Sequence, residues 1–491
     1  MARSSSGASP ASPAKGPPAA ADLANEALAI ADPDGGLTVI RELDVPPDVL
    51  RRLAACFPER YPVLFDSAAD GPLSRTSILV AEPRAALWLD SSGQVGAEGF
   101  TARGGDFLTA LENWWLSERI APVHQKLPFV GGWALFLSYE IAQEIEPRLR
   151  LPRSSLPWRA FALRTPCALV HERATGKVFA VAEPAAVDSL DRLEADARLL
   201  AASALATPAD LSVESVTEED PGAYLSRVTR AKEYVCAGDI YQANLSRPWS
   251  VTLAREPDVG ALYNRLCRAN PAPFAALAQW RGTTILSSSP ERLVRINDGY
   301  IDTRPIAGTR PRSRRPGDDL AEMTELAAHP KERAEHIMLI DLERNDLGRV
   351  SEPGTVRVDE LMSIESYAHV HHIVSNVSAR LRRDVTPVGA LKAVFPGGTI
   401  TGVPKFRCMQ IIAELEGVGR GAYTGSLGFL GRDGSMDLNI LIRTLSVQGR
   451  TVELRAGGGI VADSDPQREL EETRAKARGM LAAFALTGTV A

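Results

Sequence analysis

The amino-acid sequence predicts an α+β fold with mainly antiparallel strands, organised as two subdomains. Short β-like runs alternate with amphipathic helical stretches along most of the chain. Polar turns such as GRDGS, residues 431–435, are typical of hairpins and favour antiparallel pairing. With 491 residues, 45% of them apolar, the chain is long enough to bury a large core.

Composition divides the chain into three parts. Residues 1–36 are rich in Ala, Ser, Pro and Gly, which predicts a disordered tail. Residues 37–210 alternate strands and helices and form the first predicted subdomain. A polar connection around 208–218 leads to the second subdomain, 218–488, with Pro221 placed to begin its first helix.

The second subdomain is predicted element by element from periodicity and from its turn residues. We expect strands at 241–251, 423–430, 438–447 and 451–461, and helices at 223–238, 258–270, 319–345, 386–394, 404–416 and 466–486.

Charge and cysteine content exclude several classes of function. Lys and Arg total 55 against 61 for Asp and Glu, a net charge of -6 that argues against general nucleic-acid or membrane-surface binding. The five cysteines are scattered without metal-ligand or disulfide-framework spacing. Neither a membrane span nor a signal-peptide layout is present. We therefore expect a cytoplasmic protein with a local anion site.

Two predicted helices each carry a pair of glutamates three residues apart. Glu332 and Glu335 form one pair, and Glu469 and Glu472 form the other, so each pair projects from one helix face. Alone, either pair is more often a solvated surface. If the two faces meet, their hard oxygen ligands suit one Mg²⁺ ion with positions left for water and a substrate carboxylate.

Two glycine-rich segments accompany the acidic helices. The stretch FPGGTITGVPKFR, 395–407, precedes a helix start and could form an oxyanion seat, although a tight loop that needs glycine explains it equally well. It lacks the pattern of a nucleotide P-loop. The run Gly457–Gly459 ends a strand before the second acidic helix, where Lys476 follows Glu472 by four residues and could hold a substrate carboxylate.

Three histidines occur in the stretch YAHVHHIVS, 367–375. On a strand His369 and His371 share one face and His372 takes the other, which is a poor arrangement for zinc. A single pocket-lining histidine that hydrogen-bonds or transfers a proton is the better interpretation.

These segments resemble the chorismate-utilising enzymes, a family that includes the anthranilate, aminodeoxychorismate, isochorismate and salicylate synthases. The matching segments include GDIYQANLS, SSSPERL, RPIAGTRPR, ERAEHIMLIDLERNDLGRV, FPGGTITGVPK and GGGIVADSDPQRELEET, and they cover most of 222–482. The resemblance implies a two-subdomain fold of stacked, twisted sheets, with the active site between the subdomains and chorismate bound through Mg²⁺.

The resemblance also implies roles for individual residues. Glu335 and Glu472 resemble direct metal ligands, and Glu332 and Glu469 resemble supporting ones. Glu291 resembles a general acid that protonates the departing C4 hydroxyl, which needs a carboxyl kept protonated by its surroundings. His372 is similar to the family's active-site histidine. The groups similar to those that hold the substrate are Arg443, Tyr423, Thr399, Gly458, Gly459 and Lys476.

Members of the family that this sequence resembles differ in the nucleophile that they add to chorismate. Gln242 stands where the water-using synthases have lysine, which indicates ammonia and therefore a separate glutamine amidotransferase subunit. Ala307 is typical of anthranilate synthases, because aminodeoxychorismate synthases usually have a lysine there. Five other segments, among them GDIYQANLS with Asn244, are similar to the aminodeoxychorismate branch.

We therefore predict amination at C4, giving 4-amino-4-deoxychorismate for p-aminobenzoate and folate biosynthesis. The first alternative is an anthranilate synthase component of tryptophan biosynthesis. The second is a non-catalytic chorismate-binding scaffold that has lost its nucleophile.

Overall fold

The computed structural model describes residues 28–31, 37–69, 71, 73–121, 127–203, 211–313, 315–367 and 370–485. Most of the predicted tail lies outside these residues. Leu28–Ala31 nevertheless forms a strand, because it pairs in antiparallel register with Leu37–Ile40. The described part of the chain contains the following strands and helices.

The strands up to Leu253 are β1 Leu28–Ala31, β2 Leu37–Leu43, β3 Val63–Asp66, β4 Thr76–Ala81, β5 Ala85–Asp90, β6 Val95–Glu98, β7 Gly132–Leu137, β8 Trp158–Thr165, β9 Cys167–Glu172, β10 Lys177–Ala182, β11 Val213–Glu218 and β12 Gln242–Leu253. The later strands are β13 Phe274–Trp280, β14 Thr283–Ser289, β15 Arg292–Asn297, β16 Tyr300–Arg304, β17 Ile306–Pro311, β18 Arg357–Ser366, β19 Val370–Arg380, β20 Gly402–Val403, β21 Ser426–Gly431, β22 Met436–Asn439, β23 Thr444–Gln448 and β24 Thr451–Ile460. The helices are α1 Val49–Cys56, α2 Phe107–Glu118, α3 Ala142–Ile145, α4 Ser189–Ala202, α5 Pro221–Cys236, α6 Val259–Ala269, α7 Pro316–Ala328, α8 Pro330–Gly348, α9 Pro387–Val394, α10 Lys405–Glu416 and α11 Pro466–Leu481.

The strands form two sheets, and every pairing between the named strands is antiparallel. The first sheet runs β1-β2-β10-β9-β4-β3-β13-β14-β23-β24-β12-β11, with β20 added beside β12. The second runs β17-β19-β16-β15-β22-β21-β7-β8-β5-β6, with β18 added beside β19. The predicted α+β class with mainly antiparallel sheets is confirmed.

The three largest hydrophobic cores among the described residues hold these layers together. One core packs α1, α4, α6 and α11 onto the outer face of the first sheet. Another packs α2 and α9 onto the outer face of the second sheet. The third lies between the sheets, where Phe65 of β3 meets Phe429 of β21 with ring centroids 6.0 Å apart. The protein is thus a stack of helices, sheet, sheet and helices.

Strands from both parts of the chain contribute to both sheets. In the first sheet β3 pairs with β13, and in the second β7 pairs with β21. The predicted boundary near 208–218 falls partly on residues 204–210, which lie outside the described residues. The division into subdomains at 37–210 and 218–488 therefore stays a prediction. No helix among the described residues is long and apolar enough to span a membrane.

Most elements predicted for the second subdomain occur close to their expected positions. Helix α5 shows why. Pro221 occupies the first turn of α5, and the Asp220 side chain caps the helix by accepting a hydrogen bond from the Ala223 amide.

Two expected elements are each divided in two. The helix predicted at 319–345 becomes α7 and α8, because His329 is held extended before Pro330 and Pro330 begins a new helix. The strand predicted at 438–447 becomes β22 and β23, interrupted by residues 440–443, with Arg443 in a left-handed conformation at a φ of 51°.

Candidate active site

A cavity of about 790 Å³ lies beside α8 and α11, where the ends of strands from both sheets come together. All the site residues predicted from the sequence line this cavity: Glu291, His372, Gln242, Ala307, Arg443, Tyr423, Thr399, Gly458, Gly459, Lys476, Glu335, Glu472, Glu332 and Glu469. Residues far apart in the chain therefore meet at one place.

The two acidic helices face the cavity, and their glutamates interact with neighbouring polar side chains. Glu472 lies 2.7 Å from the Lys476 ammonium, one turn along α11. Glu332 lies 3.2 Å from the Arg310 guanidinium. Glu335 accepts a 3.2 Å hydrogen bond from the side-chain amide of Gln242.

The donor chemistry of this carboxylate set fits a hard divalent cation. Glu469 and Glu472 lie close together, since their carboxylate oxygens would be 3.2 Å and 3.5 Å from a Cβ placed on Gly458. Within the described residues, however, no three His, Cys, Asp or Glu side chains are grouped closely enough to hold a metal ion. Mg²⁺ at these glutamates thus stays a prediction.

Glu291 is a buried carboxyl at the junction of β14 and β15. Thr399 donates a 2.7 Å hydrogen bond to its Oε1. Burial raises the pKa of Glu291 to about 7, and hydrogen bonds from Thr399 and from the Ile306 backbone, together with Arg443 and Lys476, oppose that rise. A substantial share of Glu291 is therefore protonated at neutral pH, as a general acid requires.

His372 and Arg443 lie close enough to interact electrostatically within the cavity. Burial lowers the pKa of His372 to about 3, and the Arg443 guanidinium adds to the effect. His372 is therefore a neutral imidazole throughout the physiological range. Its ring lies 6.0 Å from that of Tyr367. His371 takes the opposite face of β19 and meets Asp319 and Ser366, while His369 lies outside the described residues.

Close packing explains the glycine run that ends β24. Gly459 lies opposite Asn244 in the register with β12, and a Cβ there would come within 2.0 Å of the Gln242 side-chain nitrogen. Only glycine leaves Gln242 room to reach Glu335.

The segment around Ala307 is a strand rather than an isolated turn. Ile306–Pro311 forms β17, paired with β19, and Gly308 makes a bulge at a φ of 66° between Ala307 and Thr309. Ala307 lies opposite Ile373 on β19 and is buried. It is one of the residues that line the cavity.

The loop before α10 contributes to the cavity, but the start of α10 does not. Thr399 and Ile400 line the cavity, whereas the first residue of α10, Lys405, pairs with Asp346 at 2.5 Å. Of the two interpretations of this segment, the close-packed loop accounts for its glycines: a Cβ on Gly398 would come within 2.4 Å of Leu342.

Several cavity-lining residues were not singled out as site residues from the sequence. These are Asn244, Asn270, Arg310, Tyr367 and Arg455. The side-chain oxygen of Asn244 is buried and accepts no hydrogen bond from any residue that the structure describes. Arg455 could have been noticed, because it lies two residues before the glycine run on the same strand. Tyr367 carries no comparable sequence signal.

A buried, partly protonated acid beside arginine, lysine and a carboxylate cluster is typical of an enzyme site for a small anionic substrate. Comparison with known proteins identifies the substrate class. The model of the chorismate binding enzyme family matches residues 63–482. The chain therefore belongs to the family of chorismate-binding enzymes, and it is a chorismate-utilising enzyme.

Relatives in this family carry two different activities in their names. The chain is 44% identical over 400 residues to anthranilate synthase component 1 of Streptomyces coelicolor, covering 77% of this chain and 78% of the relative. It is 38% identical over 425 residues to aminodeoxychorismate synthase component 1 of Klebsiella aerogenes, covering 85% and 92%.

A solved structure in the same family confirms the fold. Anthranilate synthase component I from Streptococcus pneumoniae superposes with a TM-score of 0.74 at 30% identity, covering 84% of this chain and 93% of that one.

Proposed function

We propose that this chain is an aminodeoxychorismate synthase component, which converts chorismate and ammonia to 4-amino-4-deoxychorismate. The observation that carries the chemistry is the buried Glu291 carboxyl, with a pKa raised to about 7 and fixed by Thr399. Such a group can deliver a proton to the C4 hydroxyl of chorismate as that hydroxyl departs as water. The same step is needed for either amination product, so regiochemistry rests on other residues.

Amination at C4 is supported by the five sequence segments that resemble this branch. One of them supplies Asn244 to the cavity, and another supplies Tyr423. The Klebsiella aerogenes and Bacillus subtilis relatives named aminodeoxychorismate synthase component 1 each match over 92% of their length. A Synechocystis relative named anthranilate synthase component 1 is also matched over 92% of its length, so coverage does not separate the two branches.

Substrate binding in this proposal uses the cationic and hydroxyl groups of the cavity. Arg443 and Lys476 would attract the two carboxylates of chorismate, with Tyr423, Thr399 and the backbone at Gly458 and Gly459 completing the contacts. Neutral His372 would lie near the ring as a hydrogen-bonding group. Glu335 and Glu472, aided by Glu332 and Glu469, would hold Mg²⁺, which supplies positive charge for the ring carboxylate.

Ala307 requires a route to C4 that does not use a lysine at this position. In our hypothesis a small nucleophile such as ammonia or water adds at C2 first, in the space beside the Ala307 methyl group. The C4 hydroxyl leaves with the proton from Glu291, and ammonia then attacks C4 and displaces the group at C2.

Ammonia is proposed to come from a separate glutamine amidotransferase subunit, because Gln242 occupies the position that distinguishes ammonia users from water users. We also propose a cytoplasmic location, which agrees with the absence of disulfides among the five described cysteines.

Anthranilate synthase is the second candidate function, and two observations favour it. Ala307 is the residue typical of that branch, and the 44% identical relative carries that name. In this alternative ammonia attacks C2 directly. A non-catalytic scaffold is the third candidate, and the retention of Glu291 as a buried acid argues against it because an unused buried carboxyl is costly.

One experiment separates the three candidates. The purified chain is incubated with chorismate, Mg²⁺ and ammonium salt, with and without an aminodeoxychorismate lyase, and the products are separated by chromatography. Formation of p-aminobenzoate only when lyase is present supports the proposal. Fluorescent anthranilate without lyase overturns it in favour of the second candidate, and unconsumed chorismate favours the scaffold.

A further inference from the structure

A second buried carboxyl, Glu343, lies close to the proton donor but outside the cavity wall. Glu335 and Leu339 of α8 line the cavity, and Glu343 follows one turn later on the same helix face. Its side chain is buried, with a relative exposure of 5%. The sequence carries it within ERAEHIMLIDLERNDLGRV, where nothing distinguishes it from the other charged residues.

Glu343 contacts the loop that holds the proton donor. Its Oε1 lies 3.2 Å from the point where a Cβ on Gly398 would be. The next residue, Thr399, is the one that donates to Glu291. Glu343 and Glu291 therefore approach consecutive residues of one short loop, Gly398 and Thr399. Glu291 approaches from the cavity side and Glu343 from the other side.

The cation that acts on the Glu343 carboxyl, Lys405, makes its ion pair with another residue. Lys405, at the start of α10, lies 2.5 Å from Asp346 and donates at 3.1 Å to the Val394 carbonyl oxygen. Thr303 of β16 faces Glu343, as does Glu291. Burial and then the neighbouring Asp346 raise the pKa of Glu343 to about 8, with Glu291 acting in the same direction, while Lys405 and a hydrogen bond from Thr303 oppose the rise.

We propose that Glu343 is a positioning residue for the proton donor: as an uncharged carboxylic acid behind Gly398, it keeps the loop where Thr399 can donate to Glu291. An ionised Glu343 would attract the hydrogen-bond donors of the loop, and its charge would oppose the negative charge that Glu291 acquires as it gives up its proton. The competent enzyme therefore carries two protons in this region, one on each carboxyl. Loss of either proton stops turnover.

The proposal is tested by the pH dependence of kcat/KM for chorismate in the wild type, Glu343→Gln and Glu343→Leu. The glutamine keeps the shape and the uncharged state, so Glu343→Gln is expected to stay within about twofold of wild type near neutral pH. Leucine cannot hydrogen-bond, and Glu343→Leu is expected to lose about tenfold or more in kcat at little change in KM. Asp341→Asn, an exposed carboxylate on the same helix, is the matched control.

The decline of kcat/KM at alkaline pH is the measurement that a purely structural role of Glu343 would not change. Above about pH 8 the wild type is expected to lose activity with two protons, and Glu343→Gln with only one. Superimposable pH profiles would overturn the proposal, as would full activity of Glu343→Leu or equal impairment of both variants near neutral pH. Should Glu343→Leu fail to fold, the comparison of wild type with Glu343→Gln still decides.

This inference rests on Glu291 as the proton donor of the proposed function, but it does not depend on which product forms. Chorismate consumption is the measured quantity for every variant. A wild type that fails to consume chorismate contradicts the proposed function, whereas an active wild type with an unchanged Glu343→Gln profile contradicts only the role of Glu343.

Discussion

The ammonium group of Lys476 lies 2.7 Å from the Glu472 carboxylate and donates at 2.8 Å to the Gly457 carbonyl oxygen. Both side chains are about half exposed, so the pair contributes little to stability. In the proposed function, the pair matters because Glu472 would also bind Mg²⁺. A metal ion bound at Glu472 would compete with Lys476 and release its ammonium for a substrate carboxylate.

Replacement of Lys476 by methionine tests this competition. We expect Lys476→Met to bind Mg²⁺ about twofold more tightly without chorismate, because an exposed ion pair of this kind is worth only a few tenths of a kcal/mol. The KM for chorismate should rise about tenfold, since a charged contact is lost. Titration calorimetry with MgCl₂ alone gives the first value, and Arg478→Met on the same helix is the control. Weaker Mg²⁺ binding by Lys476→Met would contradict the competition.

Glu291 should govern the pH dependence of turnover. Because its pKa lies near 7, the fraction that can donate a proton falls as the pH rises through that value. Glu291→Gln is expected to lower kcat by about 10²–10⁴-fold, the usual contribution of a general acid. Steady-state assays of chorismate consumption across the pH range measure both effects. An active Glu291→Gln enzyme would exclude Glu291 as the donor.

The same carboxyl should affect stability with a defined sign. The folded-state pKa of Glu291 is raised above its ordinary value of 4.5, so its protonated form stabilises the folded protein at low pH. That contribution is lost as the pH rises from about 4.5 through about 7, and it amounts to roughly 3 kcal/mol at most. Glu291→Gln should therefore melt higher than the wild type at alkaline pH, with a smaller difference at acidic pH. An equal difference at both pH values would show that Glu291 titrates normally.

A lysine at position 307 tests the proposed use of the space beside Ala307. In Ala307→Lys the new amine would point toward the cavity and attack C2 of chorismate, while the C4 hydroxyl leaves as water. We expect a covalent substrate adduct that intact-protein mass spectrometry detects after denaturation. Ala307→Met, which is similar in length but has no nucleophile, is the control. Unchanged activity without an adduct would show that this strand never needed an amine.

The sequence predicted the fold class, and the residues it singled out line one cavity, but it predicted local backbone geometry less well. Hydrophobic periodicity identified helices such as α10 because tertiary packing and local preference agree there. The division at Pro330 was missed, because the helical pattern continues across it. The strand and bulge around Gly308 were not predicted, because their pairing with β19 involves residues more than sixty positions away.

The polar environment of each site residue could not be obtained from the sequence. Glu291 acquires its raised pKa from burial, which depends on elements folded around it from both parts of the chain. The role of Glu343 depends on contact with Gly398, which is distant in sequence. Motif spacing identifies which side chains meet, but not how far each is removed from water.

The interleaving of early and late strands has a consequence for dissecting the molecule. A fragment that starts near residue 218 would lose the partner of β13 in the first sheet and the partner of β21 in the second. Both sheets would then have exposed strand edges with unpaired backbone N–H and C=O groups, which can pair with other chains and lead to aggregation. The catalytic portion should consequently be recoverable only by co-expression with the missing amino-terminal piece, as a non-covalent complementation pair.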